Sequence, residues 1–169
     1  MKKLICGFIL AVIVFTLTGC GMFVERPEVK EGEFNFSVTY EYAGEIKTVS
    51  GVYVCEYADL SWSLEGGYHR DWSGYIKGGG VEDHTEIGII NDGDEIVLVL
   101  DLRPDYFMGD YDAEINGIPV PHIMIRSCSE EGMSIIHDAD EVEEICGAKI
   151  ISYKYDSPIE NTFGLFNFG

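Results

Sequence analysis

From Phe34 the chain alternates between apolar and polar positions. Phe34, Phe36, Val38, Tyr40 and Tyr42 fall at every second residue, with Glu33, Asn35, Ser37, Thr39 and Glu41 between them. A period of two marks a strand with one face on a core and the other in water, so the pattern predicts a strand over 34–42. Ala43 and Gly44 offer a tight turn into a second strand, from Glu45 to about Glu56, that closes on Val52, Tyr53 and Val54. A second hairpin is predicted from 84–90 and 95–102 around Asn91-Asp92-Gly93-Asp94, because Asp and Gly tolerate the positive φ of tight turns. Its second arm differs from the other strands. Ile96, Val97, Leu98, Val99 and Leu100 are apolar on both faces, which suits a central strand covered from both sides. Further strand runs occupy His122–Arg126 and Lys149–Tyr155.

Only residues 140–146 have convincing helical character: an Asp stands at or near the cap, acids fill the first turn, and Gly147 follows as a stop. Repeated short strands, abundant glycine and one short helix predict an all-β fold. The architecture expected is an antiparallel β-sandwich, immunoglobulin-like in arrangement, forming a single domain over 33–169. The Cys…Trp…Cys spacing of antibody-type domains is missing, as are heptads and solenoid repeats.

The N-terminal segment follows different rules. Lys2 and Lys3 precede an apolar run from Leu4 to Phe15, too short to cross a ~30 Å hydrocarbon layer as a permanent helix, and this reads as a signal peptide over 1–19. It closes on Leu17-Thr18-Gly19-Cys20, which resembles the lipobox of bacterial lipoproteins. The resemblance covers residues 1 to about 21. It implies cleavage before Cys20 once the thiol carries diacylglycerol, attachment to the cell membrane through the lipidated Cys20, and a position on the extracytoplasmic face without a transmembrane helix. Residues 20–32 then read as the lipidated cysteine and a tether of at most ~40 Å, with mixed charge, a proline and no period.

Charge narrows the partners. With the signal removed, nine basic residues face 30 acidic ones, a formal charge of −21. Such a surface is repelled by phosphates, so no nucleic-acid partner is expected, and it suits solubility beside an anionic envelope. Cysteine usage narrows the chemistry. Three thiols remain after Cys6 is cleaved away and Cys20 is acylated, enough for one internal disulfide, which, if formed, is expected to join Cys128 to Cys146, with Cys55 a buried core thiol. No C-x-x-C or Cys/His cluster has zinc spacing.

The segment from Tyr57 to Gly80 concentrates both tryptophans with tyrosines and glycines. Trp62, Tyr68, His69, Trp72 and Tyr75 are therefore the predicted ligand-binding surface, for an extracellular ligand or an envelope protein. Flat aromatic faces beside polar groups also suit a sugar ring, so a cell-wall glycan is the alternative ligand. The competing structural reading makes Trp62 and Trp72 core residues. His69 and Asp71 would share a strand face, but no nucleophile motif accompanies them. No catalytic residue is predicted, and the expected activity is non-enzymatic, with an envelope hydrolase as the alternative of a different class. His84, His122 and His137 stand alone. The acids at 92–95 and 138–144 raise the possibility of calcium, but the second group lacks the EF-hand ligand at its fifth position and the glycine at its sixth. They read as a hairpin turn and a capped helix, and neither a metal nor a cofactor is predicted.

Overall fold

The alternating run lies within a strand, Glu31–Tyr42, whose inward residues Phe34, Phe36, Val38 and Tyr40 are all buried. The computed structural model describes residues 25–64, 67–78, 86–92, 94–111, 116–129, 132–136 and 138–164, and in these the chain is mostly antiparallel strand. Arg26–Pro27 is β1 and Glu31–Tyr42 is β2. Ala43 and Gly44, both at positive φ (52° and 77°), turn the chain into β3 (Glu45–Ser63), which pairs with β2 from Tyr42↔Glu45 to Glu31↔Glu56. β4 (Gly67–Ile76) adds to the far edge of β3, and β9 (Lys149–Tyr155) adds to the far edge of β2, giving the order β4-β3-β2-β9.

The second sheet has the order β5-β6-β7-β8, with β5 at Glu86–Asp92, β6 at Asp94–Val99, β7 at His122–Ser129 and β8 at Gly132–Ile136. The run Ile96–Leu100 is buried throughout, as its two-sided apolar pattern predicts. Ile96, Leu98 and Leu100 join the main core, while Val97 and Val99 form a second cluster with Met124 of β7. β10 (Phe163–Gly164) pairs with β1.

One core takes residues from both four-stranded sheets. Phe34, Phe36, Val38 and Tyr53 meet Ile96, Leu98, Ile123 and Ile125 in a single buried cluster. Two buried or half-buried hydroxyls tie the first sheet to the end of β6: Tyr53 Oη donates to the Leu102 carbonyl at 3.2 Å, and Tyr155 Oη donates to that of Leu100. The Tyr53 ring occupies the space where a Cβ on Gly74 would stand, so glycine alone fits there. A short helix, α1 (Pro104–Phe107), starts on Pro104 and plugs the core with Phe107, whose ring lies 4.8 Å from that of Phe34 and 5.8 Å from that of Tyr53. The predicted helix is α2 (Ala139–Cys146). The Asp138 side chain caps it by accepting from the amides of Asp140 and Glu141 at 3.1 Å each, and Gly147 ends it in the left-handed conformation.

Two expectations are corrected. The tether does not extend to residue 32. From Glu25 the chain is bound to the domain: β1 pairs with β10, Glu28 N donates to Thr162 O at 2.9 Å, and Asn161 both accepts from Val29 N and donates to Val29 O. The partners lie far along the chain, so no local period betrays them. The Cys128–Cys146 bridge is not formed either. Cys146 is a free thiol that donates to the Val142 carbonyl one turn back, at 3.1 Å, and the side chain of Cys128 lies outside the described residues.

Cys55 is fully buried, and desolvation pushes its thiol up to about 12, so it stays neutral at physiological pH. An alkylating reagent at about pH 8 is expected to modify Cys146 in the folded protein, and Cys55 only after denaturant is added. Peptide mapping that finds both modified equally in the native state would contradict this.

Candidate functional site

β3 and β4 run on past the end of β2. The pairing of β2 with β3 stops at Glu56, whereas β3 and β4 continue to Ser63↔Gly67. The residues beyond Glu56 thus form a two-stranded extension of the sheet. A bulge between Tyr57 and Asp59 shifts the register, after which Leu60 faces Arg70, Ser61 faces His69 and Trp62 faces Tyr68.

The extension separates the five predicted binding residues. Directly paired residues share a face and neighbours along a strand do not, so Trp62, Tyr68 and Trp72 lie on one face, while His69 and Tyr75 lie on the other. They cannot act as one continuous surface.

On the first face the root of the hairpin is locked. Trp72 is half-buried against the core, its ring edge-on to Tyr57 at 5.4 Å, and its indole N–H donates to Asp110 Oδ2 at 2.8 Å. The same carboxylate, only 13% exposed, accepts from Arg70 Nε at 2.8 Å and from Arg70 Nη2. This fork holds the Arg70 guanidinium above its ordinary pKa, chiefly through the hydrogen bond to Asp110. Arg70 also donates to the Glu25 carbonyl at 3.0 Å and stacks 4.1 Å over the Phe163 ring, so it joins both ends of the described chain to β4. Trp72 is therefore a structural residue. The Tyr57 hydroxyl beside it is buried without a hydrogen-bond partner, and desolvation raises its pKa.

The outer end is open. Trp62 is 58% exposed, Tyr68 42% and Leu64 89%. An exposed tryptophan directly opposite an exposed tyrosine, next to an exposed leucine, is an apolar surface that no element covers among the described residues.

On the second face, Ser61 Oγ donates to Asp71 Oδ2, and His69 Nε2 lies 3.4 Å from Asp71 Oδ1. The order is hydroxyl, carboxylate, imidazole. A nucleophilic serine needs the imidazole next to it to take its proton, and here Ser61 is bound to Asp71 instead. Tyr75 Oη donates to Glu56 Oε1 at 3.3 Å.

A groove of about 270 Å³ lies between the starts of β7 and β9 and α2, lined by Pro121, Ile123, Val142 and Ala148 with His122 and Lys149. Lys149 pairs with Glu41 of β2, so the groove sits at the end of the first sheet opposite the aromatic hairpin. Of its charged groups, Lys149 Nζ lies 2.8 Å from Glu143 and 3.8 Å from Glu41 of β2, and Asp140 also lines the groove. Among the described residues no group of three or more His, Cys, Asp or Glu is gathered to hold a metal ion, and no helix is long and apolar enough to cross a membrane.

No family model, curated protein or solved structure matches the chain. The site therefore rests on geometry. Sequence reasoning missed Leu64, although Leu60, Trp62 and Leu64 alternate at strand spacing and so share a face. It also missed Asp110, 40 residues from Arg70, for which no local pattern exists.

Proposed function

We propose that this protein is a lipid-anchored, extracytoplasmic, non-enzymatic binding module that presents the β3–β4 hairpin to a component of the cell envelope. The observation that carries this reading is the open Trp62–Tyr68 pair on a hairpin fixed at its root by Arg70, Asp110 and Trp72. A preorganised aromatic pair loses little conformational entropy on binding, and binding energy concentrates in such residues. The two four-stranded sheets are read as the layers of a β-sandwich, supported by the one core they share. Attachment rests on the lipobox-like Leu17–Cys20 segment. The hydrolase alternative lacks support from the Ser61–Asp71–His69 order, in which the hydroxyl is bonded to the carboxylate.

A mature chain carrying Cys20→Ser cannot be retained by acyl groups, so its sedimentation with isolated envelopes reads the domain alone. Trp62→Ala in that chain is expected to lower retention about tenfold, a loss above ~1 kcal/mol, with the melting temperature unchanged because the ring is exposed. Equal retention of the two chains would overturn the reading.

A further inference from the structure

We infer that the partner of the hairpin tip is the bilayer that holds the protein's own anchor, with Trp62, Leu64 and Tyr68 resting at headgroup level. This rests on the reading of Cys20 as lipidated. Its basis is where the bound chain begins. Glu25 is fixed to β4 through Arg70, and only four residues separate it from Cys20, five steps that span at most ~17 Å when fully stretched. An acylated Cys20 lies in the membrane surface, so Arg70 is confined to a thin layer above it. Along β4 the chain runs from Arg70 through Tyr68 to the start of the strand at Gly67, ~10 Å further out at ~3.4 Å per residue. The reach of the link and the projection of the hairpin are alike in size, and both start from the same residue. The end of the domain that carries β1, β10 and the tip is the end facing the bilayer.

The side chains are graded to suit that position. Leu64, next to the turn, is the most exposed; Trp62 and Tyr68 stand behind it; Arg70 follows. Apolar first, amphipathic ring next and guanidinium last is the order in which the membrane interface accepts side chains, and tryptophan and tyrosine are enriched at that depth. A chain of formal charge −21 is repelled by an anionic surface, so the contact is apolar in origin and favours zwitterionic lipid. Acyl chains hold the protein and leave it free to swivel; the tip adds a second, weaker hold that sets its orientation.

The two tryptophans allow a direct test. Lipidated protein purified from cells is reconstituted into phosphatidylcholine vesicles with ordinary or brominated acyl chains, and fatty-acid label on Cys20 is measured in the same sample. Bromine is expected to quench the Trp62 emission about twofold, as for an interfacial indole. Trp62→Phe should remove the quenchable part, leaving only the half-buried Trp72. Leu64→Glu, at an exposed position that leaves the fold intact, should relieve the quenching with an unchanged melting temperature. If Cys20 carries no label, the anchor reading fails and this inference fails with it. If the label is present and Trp62 emits equally in both vesicles, or if Leu64→Glu remains quenched, the anchor stands and the membrane contact is wrong. An unquenched Trp62 whose replacement by alanine still weakens envelope retention would identify a glycan or a protein as the partner instead.

Discussion

Replacing Asp110 with alanine is expected to cost the domain about 3 kcal/mol and to lower its melting temperature by about 10 °C. The carboxylate is nearly buried and accepts two bonds from Arg70 and one from the Trp72 indole. Alanine removes all three and leaves a partly buried guanidinium and an indole N–H without their acceptor, which costs more than the net worth of the bonds themselves. Arg70 keeps the Glu25 carbonyl and the Phe163 ring, which sets the loss near the lower end for a broken buried pair. Asp110→Asn preserves an acceptor for Trp72 and loses the charge opposite Arg70, so it should fall about midway. Denaturant unfolding checks the order wild type, asparagine, alanine. An alanine variant within ~0.5 kcal/mol of wild type would show that the network is solvated and idle.

Cys20→Ser is expected to abolish fatty-acid labelling and to leave the domain unprocessed or, once the signal is cut, free of the membrane fraction. A thiol alone accepts the diacylglycerol, and each buried methylene contributes about 0.8 kcal/mol, so the acyl chains supply nearly all the hold. The described domain, from Glu25 onward, is built without Cys20, so the variant's circular dichroism is expected to stay strand-dominated. Metabolic labelling with a fatty-acid analogue decides the matter, and equal incorporation in wild type and variant would remove the lipoprotein assignment. The two variants separate anchorage from architecture: serine at 20 changes location without stability, and alanine at 110 does the reverse.

What the sequence revealed about this fold was whatever depends on neighbours. The period of two from Phe34, the doubly apolar Ile96–Leu100, the Ala43–Gly44 turn and the capped α2 are local patterns, and each stands in the structure where its residues put it. α1 was illegible because Phe107 is held by Phe34 and Tyr53, both from the first sheet. The aromatic hairpin was legible in composition, but the division of its residues between two faces was not. Treating Trp62, Tyr68, His69, Trp72 and Tyr75 as one patch ignored the alternation that puts His69 and Tyr75 on the opposite face. Trp72 could not be distinguished from Trp62 without Asp110, whose approach to the hairpin is a product of tertiary packing.

On the anchorage proposed for Cys20, a domain held by its N-terminal end also bears force there. Drag on the body is transmitted through Cys20 to Glu25, and meets the Arg70 bond first, then the β1–β10 pair, then the two bonds that clasp Asn161 to Val29. Phe34 and the core come later in the load path. The first and last described strands thus make a strap across the two ends of the described chain, one that must open before β2 is pulled, and the segment at 161–164 shares the load with the proposed anchor.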